Sequence, residues 1–257
     1  MKISIITINY NNVAGLQKTL ASVISQNYDD IEYIVIDGGS LDGSKETILQ
    51  NKDKISYWLS EEDKGIYHAM NKGINVATGE YALFLNSGDV LYDKDVIAKV
   101  TAHLSKDIVY GDLIQQISTE EIYCSFPDRI EFSYLFEKYL PHPSMFIRLD
   151  LFKKNGYYNE KYKIVADWAF YVKAIGKHGA TYRHVPFVIS RYNMDGISSR
   201  PENLKKIGEE REIFLKSEFE IFYQDFIEYK YLKEKTSALK RSKIYKFFKF
   251  LGVKKFK

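Results

Sequence analysis

Apolar and polar positions alternate in a regular way over the N-terminal third of the chain. Residues Lys2–Ile8 form a short, mainly apolar run that predicts a buried strand, whereas Val13–Gln26 places Leu16, Leu20 and Val23 at the spacing of one helix face. The same succession predicts further strands at Ile31–Asp37, Ile55–Leu59 and Glu80–Leu85, and helices at Gly43–Lys52 and Ile66–Ala77. Strands that alternate with helices across short loops indicate an α/β fold with a mostly parallel central sheet and helices on both faces.

The pattern is more mixed in the rest of the chain. It predicts strands at Asp107–Gly111, Ile122–Phe126, His142–Arg148 and Thr181–Tyr192, and helices at Asp93–Leu104, Glu131–Tyr139 and Ala166–Gly176. Residues 202–235 also have helical character and are rich in Glu, Lys and aromatic residues. We therefore expect a domain over residues 1–200 and a helical C-terminal extension over residues 201–257.

Polar residues follow four successive predicted strands. These groups are Asn9-Tyr10-Asn11, Asp37-Gly38-Gly39-Ser40, Glu61-Glu62-Asp63-Lys64 and Asn86-Ser87-Gly88-Asp89. Turns favour Asn, Asp, Ser and Gly for purely structural reasons, so one such group would carry little weight. Because ligands of parallel α/β sheets bind beyond the carboxyl ends of the strands, four groups in succession, three of them with carboxylates, favour a ligand site there.

The composition and the missing motifs exclude several classes of protein. With 45% hydrophobic and 28% charged residues the chain is an ordinary globular protein. Its single cysteine, Cys124, excludes an intrachain disulfide and a cysteine zinc site, and it indicates a reducing, cytoplasmic compartment. No signal peptide and no apolar run of about eighteen residues is found, so any membrane contact is expected to be peripheral. The absence of GxGxxG, GxxxxGK[ST] and GxSxG argues against dinucleotide, P-loop and serine-hydrolase chemistry.

The C-terminal tail carries the positive charge. Residues 233–257 contain nine Lys and one Arg against one Glu, so the tail contributes +9 and the net charge of +3 leaves −6 for residues 1–232. Nucleic-acid phosphates need a basic face on the body of a protein, and we therefore expect no nucleic-acid partner.

A basic amphipathic helix is predicted within this tail. A helix over Ser242–Gly252 would place one narrow apolar stripe opposite three lysines. The stripe is Ile244, Phe247, Phe248 and Leu251, and the lysines are Lys243, Lys246 and Lys249. Helices of this kind lie in the headgroup region of anionic membranes, which makes the tail a predicted interfacial anchor. Packing of the stripe on the protein's own body, or a disordered basic end, are the alternatives.

An ordered series of segments resembles the inverting family-2 glycosyltransferases, which have a GT-A fold. The segments are Ser4–Asn11, Ile34–Ser44, Ser60–Gly73, Ala77–Glu80, Leu85–Asp89 and Ala166-Asp167-Trp168. The likeness covers about residues 1–200 and is closest to the bacterial surface-polysaccharide branch, similar to colanic-acid-type transferases. It implies a GT-A (Rossmann-like) catalytic domain over residues 1–200. No recognised motif lies in residues 201–257.

This resemblance implies a donor site. The implied reaction moves a sugar from a nucleotide-sugar donor, UDP-linked, to a glycan or lipid-linked glycan acceptor in cell-surface polysaccharide biosynthesis. The implied donor-binding residues are Thr7, Asn9, Asp37, Asp63, Lys64, Asn71, Asn86 and His142. Asp37 would accept the N3–H of uracil, and Asp63 would contact the nucleoside. Structural alternatives are an Asx turn for Asp37, a solvated helix face for Lys64 and a satisfied buried histidine for His142.

The resemblance also implies a metal ligand and a base. Asn86-Ser87-Gly88-Asp89 stands where the family has its Asp-x-Asp signature, which holds Mg²⁺ or Mn²⁺ against the diphosphate of the donor. Only Asp89 remains of the two carboxylates, so weak metal binding is expected. Asp167 is the implied base, because inverting transfer requires one carboxylate to remove the proton of the acceptor hydroxyl. Its alternative role is a helix N-cap. The sequence further departs from the family at Gly38, often Asp, and at Met70, often Arg.

Two other functions are compatible with these residues. The eroded signature suits a non-catalytic nucleotide-sugar-binding or scaffold subunit of a polysaccharide assembly. A nucleotidyltransferase is a more distant alternative, since no Gly-rich phosphate loop follows the first strand. For the transferase we expect a cytoplasmic protein, peripherally associated with the inner face of the cell membrane through its C-terminal tail.

Overall fold

The computed structural model describes residues 1–117, 120–251 and 253. These residues form two compact units, Met1–Arg211 and Glu212–Lys257. The strands of the first unit are β1 Ile3–Asn9, β2 Ile31–Asp37, β3 Tyr57–Ser60, β4 Tyr81–Phe84, β5 Val90–Leu91, β6 Ile108–Ile117, β7 Glu120–Cys124, β8 Met145–Arg148 and β9 Tyr182–Asn193. The α-helices of the chain are α1 Val13–Ile24, α2 Ser44–Gln50, α3 Ile66–Val76, α4 Val96–Thr101, α5 Phe132–Glu137, α6 Leu149–Asn155, α7 Ala166–Gly176, α8 Leu204–Glu218, α9 Glu220–Arg241 and α10 Lys243–Phe250.

The strands build one mixed sheet in the order β3-β2-β1-β4-β8-β6-β9-β5, with β7 paired to β6. Strands β3, β2, β1 and β4 are parallel to one another. Strand β8 is antiparallel to both β4 and β6, and β6 is parallel to β9. The predicted α/β fold with helices on both faces is confirmed, although the half of the sheet beyond β4 is mixed because β8 runs in the opposite direction.

Burial on both faces explains the apolar sequence of β1. All seven of its residues are buried, as expected of a strand that helices cover on both sides. Helix α1 packs its buried residues Leu16, Leu20 and Val23 into the same core as Ile3 and Ile5. Helix α3 approaches the sheet at Gly73, where a Cβ atom would lie 2.5 Å from Ile6 Cγ2. This close contact fixes the position of α3, whose N-terminus faces the carboxyl ends of the strands.

Several predicted elements need correction. The helix predicted over 202–235 is two helices, α8 and α9, which are separated at Phe219. His142 lies in a 3₁₀ turn, His142–Ser144, and β8 begins only at Met145, because Pro143 has no N–H to donate to a sheet. Helix α6 was not predicted, whereas α7 has the predicted bounds.

The second unit is helical. Ser242 caps α10 by accepting a hydrogen bond from the Tyr245 N–H at 3.1 Å. The predicted apolar stripe of α10 is exposed, as are its lysines. Gly252, the predicted end of this helix, lies outside the described residues. Within the part of the chain that the structure describes, no helix is both long and apolar enough to cross a membrane.

Candidate active site

A cavity of about 1070 Å³ opens beyond the carboxyl ends of β1, β2 and β4. Residues that follow these strands form its floor, and the first turn of α3 forms one wall. The opposite wall contains Leu140–Pro143, the first turn of α7 and the segment 192–199. Helix α8 completes this wall with Leu204, Ile207 and Arg211. The volume lies at the upper end of the range for small-molecule sites, about 300–1,000 Å³.

Asp37 is a buried hydrogen-bond centre beneath this floor and does not line the cavity. Its carboxylate accepts bonds from Asn9 Nδ2 at 2.7 Å, from the Ser40 hydroxyl at 2.6 Å and N–H at 3.0 Å, and from the Ser60 hydroxyl at 2.7 Å. Burial alone would raise the pKa of Asp37, but these bonds outweigh it and lower the pKa. Asp37 therefore organises the loop after β2 and orients Asn9, which does line the cavity.

Asp63 lines the cavity and occupies the space beside Gly38. A Cβ atom at Gly38 would lie 2.8 Å from Asp63 Oδ2, so a larger residue at position 38 would collide with this carboxylate. The other oxygen, Oδ1, accepts a bond from the Gly65 N–H at 2.9 Å. Gly65 has φ +124°, which favours glycine, and it directs the chain into α3. The first N–H groups of α3 have no partner within the helix and can receive a phosphate.

Besides Asp37, three of the predicted donor residues lie outside the lining of the cavity. Thr7 is buried, with its hydroxyl 3.1 Å from that of Tyr33. Lys64 is exposed to solvent. Asn71 uses its amide to bind the backbone of Tyr158, as donor at 2.9 Å and acceptor at 3.1 Å, and the Glu160 carboxylate at 3.0 Å. Asn71 thus stabilises a loop, and for all three residues donor binding stays a prediction.

Asp89 is the carboxylate of the strand-end group after β4. It lines the cavity at 3% exposure, and its Oδ1 accepts a bond from the Asn193 N–H at 2.9 Å. Burial raises the pKa of Asp89 to about 7 against the opposing backbone bonds. Asn86 lines the same cavity, and its Oδ1 is buried without a hydrogen-bond partner among the described residues.

Asp167 faces the cavity from the first turn of α7. Its Oδ1 lies 2.7 Å from the hydroxyl of Tyr67, which also lies 2.6 Å from the Ile164 carbonyl. The N-cap position of α7 is Val165, and no side chain caps it. The Asp167 side chain, 25% exposed, is therefore available to a ligand in the cavity rather than used as an N-cap.

His142 lies beside this carboxylate. Its Nδ1 is 3.9 Å from Asp167 Oδ2, and its Nε2 is 3.0 Å from the Tyr158 hydroxyl. The imidazole stacks on Phe84 with a centroid separation of 5.0 Å. Burial lowers the pKa of His142, although Asp167 opposes this effect. The lowered pKa favours a neutral imidazole at the cavity wall.

Comparison with known proteins shows the family to which this chain belongs. The family model described as Glycosyl transferase family 2 matches residues 4–164. A PGL/p-HBAD biosynthesis glycosyltransferase of Mycobacterium bovis is 33% identical over 201 residues, which are 75% of this chain and 77% of that protein. The chain belongs to glycosyl transferase family 2. Glycosyltransferase is accordingly its activity class, and this decides against the scaffold and nucleotidyltransferase alternatives.

Solved structures confirm the GT-A fold. S. aureus TarS 1-349 in complex with UDP-GlcNAc has a TM-score of 0.66 and 19% identity, over 84% of this chain and 67% of that one. The mannosyltransferase PcManGT of Pyrobaculum calidifontis, in complex with GDP-Man and Mn²⁺, has a TM-score of 0.61 and 17% identity, over 80% and 60% of the two chains. This glycosyltransferase spans 40% of the longer TarS chain.

The residues of this glycosyltransferase fit a hard divalent cation only in part. Asp89 offers a desolvated carboxylate, and Asn86 offers an amide oxygen without a partner. Among the residues that the structure describes, no three His, Cys, Asp or Glu side chains cluster as a metal site. Mg²⁺ is commonly bound by one or two carboxylates together with substrate phosphates and water. A cation at Asp89 would thus depend on the diphosphate of the donor for further ligands.

Three residues around Asp167 and its turn were missed in the sequence, namely Tyr67, Glu210 and Arg211. Tyr67 lies within a segment that carries the family likeness, but a tyrosine in a helix gives no signal of a distant carboxylate partner. Glu210 accepts bonds from the N–H groups of Lys163, Ile164 and Val165 at 2.9 to 3.3 Å, and so holds the turn that leads to Asp167. Arg211 lies next to it in a region without a recognised motif.

Proposed function

We propose that this glycosyltransferase transfers a sugar, with inversion, from a UDP-linked donor to a glycan or lipid-linked glycan in cell-surface polysaccharide biosynthesis. The observation that carries the proposal is the carboxylate of Asp167, which faces the same cavity as the polar strand ends and is oriented by Tyr67. A UDP donor is supported by the structural neighbour in complex with UDP-GlcNAc. Transfer of a sugar is supported by the relative named as a PGL/p-HBAD biosynthesis glycosyltransferase.

In the proposed reaction the donor lies over the strand ends. Asn9, Asp63 and Asn86 contact the nucleoside and ribose, while the first turn of α3 receives the diphosphate. Asp37 acts beneath them by orienting Asn9. Mg²⁺ or Mn²⁺, held by Asp89 together with the diphosphate, would neutralise charge on the departing UDP.

On the acceptor side Asp167 is the proposed base. It removes the proton of the acceptor hydroxyl as that oxygen bonds to the anomeric carbon, and the bond to UDP breaks with its electron pair on the diphosphate. Tyr67 holds the carboxylate in place, and neutral His142 packs beside it without competing for the proton. The catalytic domain proposed from the sequence, residues 1–200, contains all of these groups.

The test is Asp167→Asn, which keeps the size of the side chain but cannot accept the proton. Transfer should fall by about three orders of magnitude, while the affinity for UDP changes less than about twofold. Asp150→Asn is the matched control, because the Asp150 side chain is exposed, lies outside the cavity lining and pairs with Lys153 at 3.5 Å. Unchanged transfer by a folded Asp167→Asn protein would contradict the proposal.

The proposal also places the enzyme at the cytoplasmic face of a membrane. The exposed stripe of α10 and its lysines are the pattern of an interfacial helix. Each basic residue near an anionic leaflet contributes roughly 1 kcal/mol. Such binding would hold the cavity near lipid-linked acceptors.

A further inference from the structure

Arg211 lies in the cavity wall on a regular face of α8. Leu204, Ile207 and Arg211 line the cavity at positions i, i+3 and i+7, which share one side of a helix. The guanidinium carbon of Arg211 lies 4.8 Å from the centre of the Trp168 ring. Trp168 directly follows Asp167 in the chain, and Arg211 lines the same cavity as that proposed base.

This guanidinium lacks a counterion. Its Nε is buried without a hydrogen-bond partner, and Arg211 forms no ion pair with a carboxylate of the described residues. The carboxylate of Asp167, the nearest candidate, is oriented instead by Tyr67. Burial lowers the pKa of Arg211, while Tyr171 and Asp167 oppose this effect. Stacking on an indole offsets only part of the cost of desolvating a charge, so the site is arranged for an anion that the protein does not supply.

The charges of the cavity point to the same conclusion. Its acidic lining residues are Glu62, Asp63, Asp89, Asp167 and Asp195. Among the described residues that line it, Arg211 is the only Lys or Arg. Arg211 is therefore the side chain of this lining that can attract an anionic group of the acceptor by its charge.

The wall around Arg211 is also apolar. Tyr139, Ile197 and Leu204 line the cavity with 45%, 41% and 64% of their surfaces exposed. Leu204 precedes Arg211 by seven residues, a distance of about 10 Å along the helix axis. The positive charge of Arg211 and exposed apolar side chains therefore lie about two helical turns apart in the same cavity wall.

We infer that Arg211 binds a phosphate of the acceptor, and that this acceptor is an amphiphile in which the phosphate joins a sugar to an apolar chain. A planar guanidinium held against an indole ring can make two parallel hydrogen bonds to a phosphate. The sugar hydroxyl then reaches Asp167, and the chain leaves along Ile197 and Leu204. This inference rests on the proposed function, because it takes the side of Asp167 as the acceptor side.

Fluorescence of Trp168 reports on this contact without requiring activity. The protein has two tryptophans, and Trp58→Phe leaves Trp168 as the single one. Citronellyl diphosphate, a short prenyl diphosphate, should quench this signal saturably, and citronellol should not. Arg211→Gln should weaken the binding at least tenfold. The exposed Arg183, remote from the cavity lining, supplies the matched control Arg183→Gln, which should leave it unchanged.

A UDP titration of the same proteins distinguishes the two sources of phosphate. Unchanged UDP affinity in Arg211→Gln supports the acceptor assignment, whereas an equal loss for UDP would overturn it in favour of the donor diphosphate. Absence of citronellyl diphosphate binding to the Trp58→Phe protein would overturn it altogether. Failure of UDP to bind any of the proteins would count against the proposed function alone.

A second measurement uses the unsubstituted chain and does not depend on how Arg211→Gln folds. Phenylglyoxal modifies accessible arginines, and peptide mass mapping locates the modified site. Citronellyl diphosphate should protect Arg211 and leave Arg183 reactive. Equal reactivity of Arg211 with and without the probe would contradict the inference.

Discussion

Two aspartates near the cavity, Asp37 and Asp167, differ in how completely their oxygens are used. Asp37 is fully buried and accepts four hydrogen bonds. Asp167 is partly exposed and has the Tyr67 hydroxyl as its close donor. A saturated carboxylate stabilises a loop, whereas an unsaturated one remains able to take a proton. This difference supports the proposed role of Asp167 as base, while donor binding by Asp37 stays a prediction.

Tyr67→Phe tests how far Asp167 depends on its orientation. The ring fits the same space, but the carboxylate loses its donor, so kcat should fall about 10- to 100-fold with UDP affinity unchanged. The control is Tyr110→Phe, since Tyr110 is equally buried and donates to the Pro127 carbonyl at 2.6 Å away from the cavity lining. Steady-state kinetics measure kcat in both variants. Equal losses of kcat would show a general packing effect.

Glu32 makes the stability depend on pH. It accepts bonds from the Ser4 hydroxyl, the Thr78 N–H and hydroxyl, and Lys2 Nζ at 2.6 to 3.0 Å. Burial would raise its pKa, but these bonds lower it from 4.5 to about 2. Because the folded pKa is below the unfolded one, this stabilisation is complete above the unfolded pKa and is lost as the pH falls from about 5 towards 2.

Glu32→Gln should therefore lower the free energy of unfolding at pH 7 by about 1–3 kcal/mol. The substitution replaces one carboxylate oxygen by an NH2 group, so two of the donors would lose their acceptor. It should also flatten the decline of stability between pH 5 and pH 3. Urea unfolding across this range measures both effects, with exposed Glu228→Gln as the control. If the free energy of unfolding fell equally with pH in both variants, Glu32 would not be the cause of the decline.

Residue types alone could not separate these roles. The sequence placed Asn9, Asp63, Asn86, Asp89, His142 and Asp167 at one cavity, because strand ends of an α/β sheet converge there. It gave Asn71 the same weight, although its amide is consumed by a loop almost ninety residues away in the chain. Arg211 was not found, because its function depends on a helix from a region without motifs.

At the scale of elements, a single glycine contact connects the core to the site. Gly73 allows α3 to lie against Ile6, and the first turn of the same helix lines the cavity. A change at Gly73 would therefore displace a wall that lies two helical turns away.

Gly73→Ala should destabilise the fold although alanine favours helices. The added methyl would lie 2.5 Å from Ile6 Cγ2, and overpacking costs about 1–3 kcal/mol against a gain of about 1 kcal/mol in helix propensity. Gly208→Ala in α8 is the control, because its Cβ would meet nothing within 4 Å and should stabilise the protein. Thermal unfolding and UDP titration of the two variants should diverge, and equal midpoints would contradict this account.

Periodicity predicted the elements better than their directions or ends. Helix α7 was predicted to the residue, and its apolar pattern ends at Gly176, which Lys177 follows. The reversal of β8 was not predictable, since a short apolar run has the same pattern in either direction. The break at Phe219 carries no Gly or Pro, so the helical pattern runs across it without interruption.

At the scale of the whole molecule, charge is divided between an acidic body and a basic tail. Lysines face one side of α10, and its aromatic residues are exposed. The tail thus has the two features that membrane binding requires, in a chain whose body contributes −6.

Flotation with lipid vesicles tests the tail in the full chain. Replacing Lys243, Lys246 and Lys249 by Glu should reduce the fraction that floats with anionic vesicles severalfold, since about 1 kcal/mol is lost for each lysine. The control replaces the exposed Lys45, Lys52 and Lys54 by Glu. It changes the net charge by the same amount and should have little effect on the fraction that floats. If binding did not depend on the charge of the vesicles, the tail would not be an electrostatic anchor.

The contact between Gly38 and Asp63 also constrains how this sequence can change over time. A Cβ atom at position 38 would lie 2.8 Å from Asp63 Oδ2, so the Asp that the family often has at this position would require the Asp63 side chain to move. A substitution at Gly38 therefore also changes a carboxylate that lines the cavity. We expect a relative's loop placed at residues 37–40 to be accommodated only if the Asp63 side chain can take another orientation.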